Sequence, residues 1–220
     1  MGRPAPLGSA PTELAHAERL DWTQLPARPW KNGAGLTREI ASSPRGATLD
    51  NFDWRLSVAE VAVNGPFSAY AGIDRTIALL RGAGMRLRSD DGRLDHRLDA
   101  VAAPFCFDGE AAIEATLLDG ACSDFNVMTR RGHYSAEVLP LSIDTTLSPA
   151  EALMLLCVSG TWSVSVSPTE LLRPAQGLLW RSPVARPRVS PQPFREGEGN
   201  AGPPKTARLI AVRLCQHHLP

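Results

Sequence analysis

Trp54, Leu56 and Val58 alternate with Arg55 and Ser57, the period-two pattern of a strand with one polar face. After Val58 the phase slips, because Ala59, Val61 and Val63 are apolar on the other parity. Two explanations stay open: a strand buried on both faces, or a bulge near Glu60. In strict register Glu60 shares a face with Trp54 and Leu56, so its carboxylate needs a partner to offset its burial. Thr76 to Leu80, then Gly82-Ala83-Gly84, then Met85 to Arg88 predict strand, tight turn, strand. Alternation recurs over Ile113 to Leu117 and over Phe125 to Met128, which Arg130-Arg131-Gly132 ends. Leu153 to Val158 turns at Ser159-Gly160 into Trp162 to Val166, and Leu178 to Trp180 and Leu209 to Leu214 complete the set. The proline-rich stretch 183–204 reads as a long exposed loop. No segment carries a helical stripe longer than three turns.

Short strands about ten residues apart, with turn chemistry between them, predict an all-β sandwich or barrel. The aliphatic strand, glycine turn and strand of Ile77 to Leu87 recurs at Leu153 to Val166, and each copy precedes a proline (Pro104; Pro174). This echo predicts two tandem jelly-roll β-barrels, a leader over 1–19, a first barrel over 20–145 and a second over 146–220. The alternative is that any two hairpins look alike.

The 220 residues suffice for one large domain or two small ones, and 43% hydrophobic with 21% charged residues excludes wholesale disorder. Lys and Arg number 23 and so do Asp and Glu, which removes the electrostatic footprint of a nucleic-acid or membrane-surface binder. The longest apolar run, Ala152 to Val158, is far short of the ~20 residues of a membrane span. The N-terminus lacks the apolar run of a signal peptide, and Cys106, Cys122, Cys157 and Cys215 show no CxxC pairing. They read as reduced core thiols of a cytoplasmic protein.

Three segments could carry chemistry. Pro29 to Ile40 holds a Gly33-Ala34-Gly35 pivot flanked by Lys31, Asn32, Thr37 and Arg38, donors suited to a carboxylate; a surface turn leading into a strand explains it as well. In Asp124 to Gly132, Asp124, Asn126 and Met128 share one strand face and Phe125 and Val127 the other. If the polar face points into a barrel, it is a polar patch in an apolar cavity, the layout of a small-molecule site. If it points outward, these groups are merely solvated. In Gly72 to Thr76 an Asp74–Arg75 neighbour pair precedes an apolar strand, and an exposed turn with a weak ion pair explains it almost equally.

Trp30-Lys31-Asn32-Gly33 with Thr37-Arg38-Glu39-Ile40 resembles the HutD/Ves family. So do Trp54-Arg55-Leu56-Ser57 with Glu60, Gly65-Pro66-Phe67-Ser68, Gly72-Ile73-Asp74-Arg75-Thr76 and Asp124-Phe125-Asn126-Val127-Met128, in the family's order over residues 22 to about 132. The resemblance implies a bicupin associated with histidine utilisation. It also implies a non-catalytic role and a small ligand of the N-formylglutamate type. The family pattern has three consecutive glycines where this chain has Gly33-Ala34-Gly35; a left-handed backbone at the middle position would cost Ala34 about 1 kcal/mol or more.

Many cupins are metal enzymes, yet the five histidines, His16, His96, His133, His217 and His218, form no His-x-His pair on a strand. No Gly-x-Ser-x-Gly elbow or assignable Cys–His pair suggests covalent catalysis. The sequence therefore favours a cofactor-free, non-enzymatic binder of a small carboxylate metabolite, with contacts from Asn32, Arg38, Glu39, Arg55, Phe67, Arg75, Asp124 and Asn126. The competing reading is a cupin isomerase or hydrolase, metal-free or metal-dependent, acting on a small amido acid. Spare sheet edges permit a homodimer without requiring one.

Overall fold

The computed structural model describes residues 17–30, 33–166, 168–182, 186–193 and 206–217. Alternating, β-branched and aromatic segments become strands of four antiparallel sheets, and a single 3-10 turn, Trp22–Gln24, is the only helical element among the described residues. The first large sheet runs in the order β2 (Ala27–Pro29), β3 (Gly35–Ser43), β4 (Trp54–Val61), β11 (Cys122–Arg130), β6 (Ile73–Arg81) and β9 (Pro104–Asp108). Against it lies a small sheet of β5 (Gly65–Phe67), β10 (Ile113–Leu117), β7 (Met85–Ser89) and β8 (Asp95–Leu98). The second large sheet is β1 (Glu18–Asp21), β17 (Gln176–Trp180), β14 (Ala152–Ser159), β19 (Arg208–Gln216) and β12 (Tyr134–Leu141). Its small companion is β13 (Thr145–Thr146), β18 (Arg188–Pro191), β15 (Trp162–Val164) and β16 (Glu170–Leu172).

Three apolar clusters hold these layers together. Val61, Phe67, Ile77, Leu79, Leu87 and Ile113 fill the space between the first large sheet and its small partner. Leu153, Leu155, Trp162, Val164, Leu178 and Val189 do the same in the second pair. Between the two large sheets a seam is packed by Trp54, Leu56, Val58 and Phe125 from one side and Met154, Leu156, Ile210 and Val212 from the other. Each large sheet is therefore covered on both faces. That explains the phase slip after Val58: β4 is buried on both sides, with Leu56 and Val58 towards the seam and Val61 towards the inner core. The carboxylate of Glu60 finds its partner in Arg38, whose Nε donates to it over 2.9 Å.

Several expectations are corrected. The sheets are open, each with two edge strands, not closed barrels. Neither glycine turn joins a hairpin: β6 pairs with β11 and β9 while β7 pairs with β10 and β8, so Gly82-Ala83-Gly84 carries the chain from one sheet to the other. Ser159-Gly160 does the same between β14 and β15. Glu18 and Arg19, assigned to the leader, lie in β1 and pair with Leu179 and Leu178. β12, assigned to the first unit, belongs to the second large sheet beside β19. Within the proline-rich stretch Arg188–Pro191 forms β18. Cys122 and Cys157 are buried thiols, but Cys106 is exposed. No helix among the described residues is long and apolar enough to cross a membrane.

Candidate functional site

Registered residues of β3, β4, β11 and β6 form rows across the first large sheet. Glu39, Ser57, Asn126 and Ile77 make one row; Arg38, Val58, Phe125 and Ala78 make the next, on the opposite face. Ile77 belongs to the inner core, whereas Val58, Phe125 and Ala78 belong to the seam, so the first row faces inward. On the same inner face lie Thr37, Ala59, Asp124 and Leu79 on one side of that row, and Ser42, Arg55, Met128, Arg75 and Phe107 on the other. A register shift between Glu39 and Ala41 brings Ser42 back to Glu39's face, where its hydroxyl donates to the Glu39 carboxylate over 3.2 Å.

Glu39, Arg55, Arg75, Asp124 and Asn126 are thus brought to one face, and Phe67 packs over it from β5. Arg38 is not: it stands on the seam side, bonded to Glu60 and to the Leu25 carbonyl. Adjacent residues of a strand point to opposite faces, so Arg38 and Glu39 cannot both reach one site. Asn32 lies outside the described residues. Asp74 turns away from its neighbour Arg75 and pairs with Arg131 instead, over 2.8 Å.

The inner face is charged but sparingly paired. Arg55 donates through Nε to Glu39 over 2.9 Å, and with 11% and 28% of their side chains exposed these two lie nearest to solvent. Arg75 is buried, with its guanidinium carbon 5.4 Å from the Phe67 ring centre, 5.7 Å from Tyr70 and 5.0 Å from Phe107. These three quadrupoles partly replace the hydration that burial removes. One of its terminal nitrogens donates to the Ser68 carbonyl over 3.1 Å, and its Nε has no partner. Burial holds its pKa below the ordinary arginine value, with the nearby Asp124 opposing.

Asp124 is 1% exposed and neither of its oxygens is hydrogen-bonded; the Asn126 Oδ1 is likewise buried and unpartnered. Burial pushes the Asp124 carboxyl up to about 7, against the pull of Arg75. Burial first, and Asp124 second, push the neighbouring Cys122 thiol up to about 11. Buried polar atoms are nearly always bonded, so this group of orphans on one face is unusual.

Other side chains on this face went unread in the sequence. Ser57 shares Arg55's parity in the Trp54-Arg55-Leu56-Ser57 string, and that signal could have found it. Trp30, inside the first segment, donates from Nε1 to Thr37 Oγ1 over 2.7 Å and meets Phe67 edge-on at 6.2 Å. Tyr70 and Phe107 had no local signal. The cleft of about 340 Å³ that Arg75 and Phe107 border is lined mainly by opposite-face residues such as Thr76 and Val127, with Ser135 and Ala136 of β12, so it opens towards the seam. His96 stacks on Phe105 at 3.6 Å, His133 lies 3.4 Å from Asp53, and among the described residues no three His, Cys, Asp or Glu side chains gather as a metal-ligand set.

The model of the HutD family matches residues 23–193. The chain belongs to that family. It is 37% identical to the protein Ves of Escherichia fergusonii over 164 residues, covering 74% of this chain and 82% of that one. The structure of HutD from Pseudomonas fluorescens, in a formate condition, is similar with a TM-score of 0.76 and 27% identity, over 92% of this chain and all of that one. A cupin conserved barrel domain protein of Leptotrichia buccalis, 7% identical with a TM-score of 0.54 over 91% of this chain and 97% of that one, shares the fold.

The Gly33-Ala34-Gly35 pivot is accommodated locally. Gly33 has φ +71°, and a Cβ on Gly35 would sit 2.4 Å from the Glu60 carbonyl oxygen, so each needs glycine for its own reason. Ala34 between them is not in the left-handed region and accepts from Ala62 N–H over 3.0 Å, so its methyl adds no strain there. For Arg38, the seam placement predicts that Arg38→Ala lowers stability by about 1 kcal/mol and leaves carboxylate affinity unchanged. Thermal melts and calorimetry on the same samples check both halves.

Proposed function

We propose that this HutD-family chain is a non-enzymatic, cytoplasmic binder of a small carboxylate metabolite, which it uses to moderate histidine utilisation. N-formylglutamate is the ligand type that the family resemblance suggests. The site is the inner face of the first large sheet, in the first half of a bicupin scaffold. Four buried polar atoms without partners, Arg75 Nε, Asp124 Oδ1 and Oδ2, and Asn126 Oδ1, carry the reading. An unsatisfied buried polar group costs ~1–3 kcal/mol, and a ligand that pairs with it recovers that cost. Arg75, ringed by aromatics with its Nε unpartnered, suits a carboxylate, and the formate condition of the Pseudomonas fluorescens HutD is compatible with that chemistry. The passage from large to small sheet at both glycine turns supports two equivalent halves.

Calorimetric titration with formate and with N-formyl-L-glutamate tests the proposal. Arg75→Met is expected to weaken binding 10- to 150-fold, the loss of one charge-assisted bond. Arg75→Lys, which keeps the charge and loses the planar fork, should fall between. Wild-type affinity in both variants would move the site elsewhere. The enzyme reading draws on one feature, the buried Asp124 carboxyl, which desolvation pushes up to about 7, the range in which a general acid or base works. Release of formate from N-formyl-L-glutamate by the purified chain would establish it instead.

A further inference from the structure

The inner face has a charge inventory that a carboxylate must upset. Among the described residues, β3 contributes Glu39 and β4 contributes Arg55, already paired with each other. β6 contributes Arg75, β11 contributes Asp124 and the Cys122 thiol, and Tyr70 flanks Arg75 from the preceding loop. Arg38 and Glu60 are paired on the other side of the sheet. The small sheet opposite offers the apolar Phe67, Met85, Leu87, Ile113 and Ala115 to this space, and its one titratable group on that face, among the described residues, is His96, registered with Leu87 and stacked on Phe105. Arg75 and Asp124 are therefore the two buried charges of the face without an ion-pair partner. They are not bonded to each other: Asn126 occupies the row between them, and both Asp124 oxygens stay orphaned.

This geometry points to proton-linked binding: the site takes up a small carboxylate together with one proton, the carboxylate on Arg75 and the proton on Asp124. The inference rests on the proposed binding reading and adds its regulation. The guanidinium is the one group that favours ionised Asp124 against the desolvation that disfavours it. An anion seated on Arg75 cancels that influence and adds a second negative charge to a buried, water-poor face. Two carboxylates that share one cation there do not both stay ionised. No bond is made or broken; the complex is the ligand carboxylate, the Arg75 guanidinium and an Asp124 carboxylic acid whose O–H can donate to the ligand or to Asn126. The free carboxyl titrates at about 7, so uptake is largest above neutrality. The protein would then hold its ligand more tightly as the surrounding pH falls.

Calorimetric titration of the full chain with formate from pH 6 to pH 9, in buffers of different ionisation enthalpy, reads both the affinity and the proton count. Formate stays ionised throughout this range, so any slope belongs to the protein. Affinity should be nearly flat below pH 7 and fall about tenfold per pH unit above it, with proton uptake approaching one per formate at pH 8. Asp124→Asn should flatten the profile. Measurable formate binding with no slope and no proton uptake would overturn the linkage while leaving the carboxylate site standing. No formate binding at any pH would overturn the site and the linkage together. Should the variant fail to fold, the proton count on the wild-type chain decides alone.

Discussion

Asp124→Asn is expected to make the ligand-free protein more stable at pH 8, an unusual outcome for a fully buried polar position. An unfolded aspartate ionises near its ordinary value of 3.8, whereas the folded one keeps its proton up to about 7. Below pH 4 both states are protonated and the group contributes nothing. Between pH 4 and 7 the native state holds a proton that the unfolded chain has released, so rising pH favours unfolding. Above pH 7 the penalty is complete, about 4 kcal/mol for a shift of this size. The asparagine amide removes that penalty but adds buried donors that need partners, at ~1–3 kcal/mol, so the net gain is about 1–3 kcal/mol. Urea unfolding of both proteins at pH 5 and pH 8 measures it. The advantage of the variant should grow with pH, and an equal difference at the two pH values would show that Asp124 does not titrate across this range.

Phe125→Ala should produce the largest loss, about 4 kcal/mol, as for other fully buried aromatics cut back to a methyl group. Phe125 stands between Asp124 and Asn126 in the chain but points the opposite way, into the seam, with no exposed surface. Its neighbours there come from both large sheets, so the damage should weaken the two halves together. The urea midpoint should drop sharply while the transition stays single and its slope unchanged. Two separated transitions would mean that the halves unfold independently and that the seam contributes little.

Legibility in the sequence followed from how local each determinant is. The alternation of Asp124, Asn126 and Met128 against Phe125 and Val127 was readable, because one strand carries it without help. Arg55 was readable as the polar position of an alternating strand, whereas Arg75 reads from sequence as part of a turn before an apolar strand and in fact lies inside β6. Which face of each strand points inward was not, because that depends on registers such as Glu39 with Ser57 and Ser57 with Asn126 across the sheet. Arg38 was misplaced for that reason, although strand alternation alone would have separated it from Glu39. Trp30, Tyr70 and Phe107 converge on the site from separate parts of the chain, which no local pattern signals. The alternation of Tyr134 to Leu141 is too weak to declare a sheet, and β18 is only four residues long within a run of prolines. A short segment takes its structure from its pairing partners, which lie far away in the chain.

The edge strand β1 shows what such distance means for a nascent chain. Its partners Gln176 to Leu179 leave the ribosome only after most of the polypeptide has been made. The early strands of the first large sheet can pair while synthesis continues, but Glu18–Asp21 must wait, its backbone donors satisfied by water or by a chaperone. Closing that contact ties the start of the described chain to its last third, so assembly should finish late and slowly, as folds rich in remote pairings do.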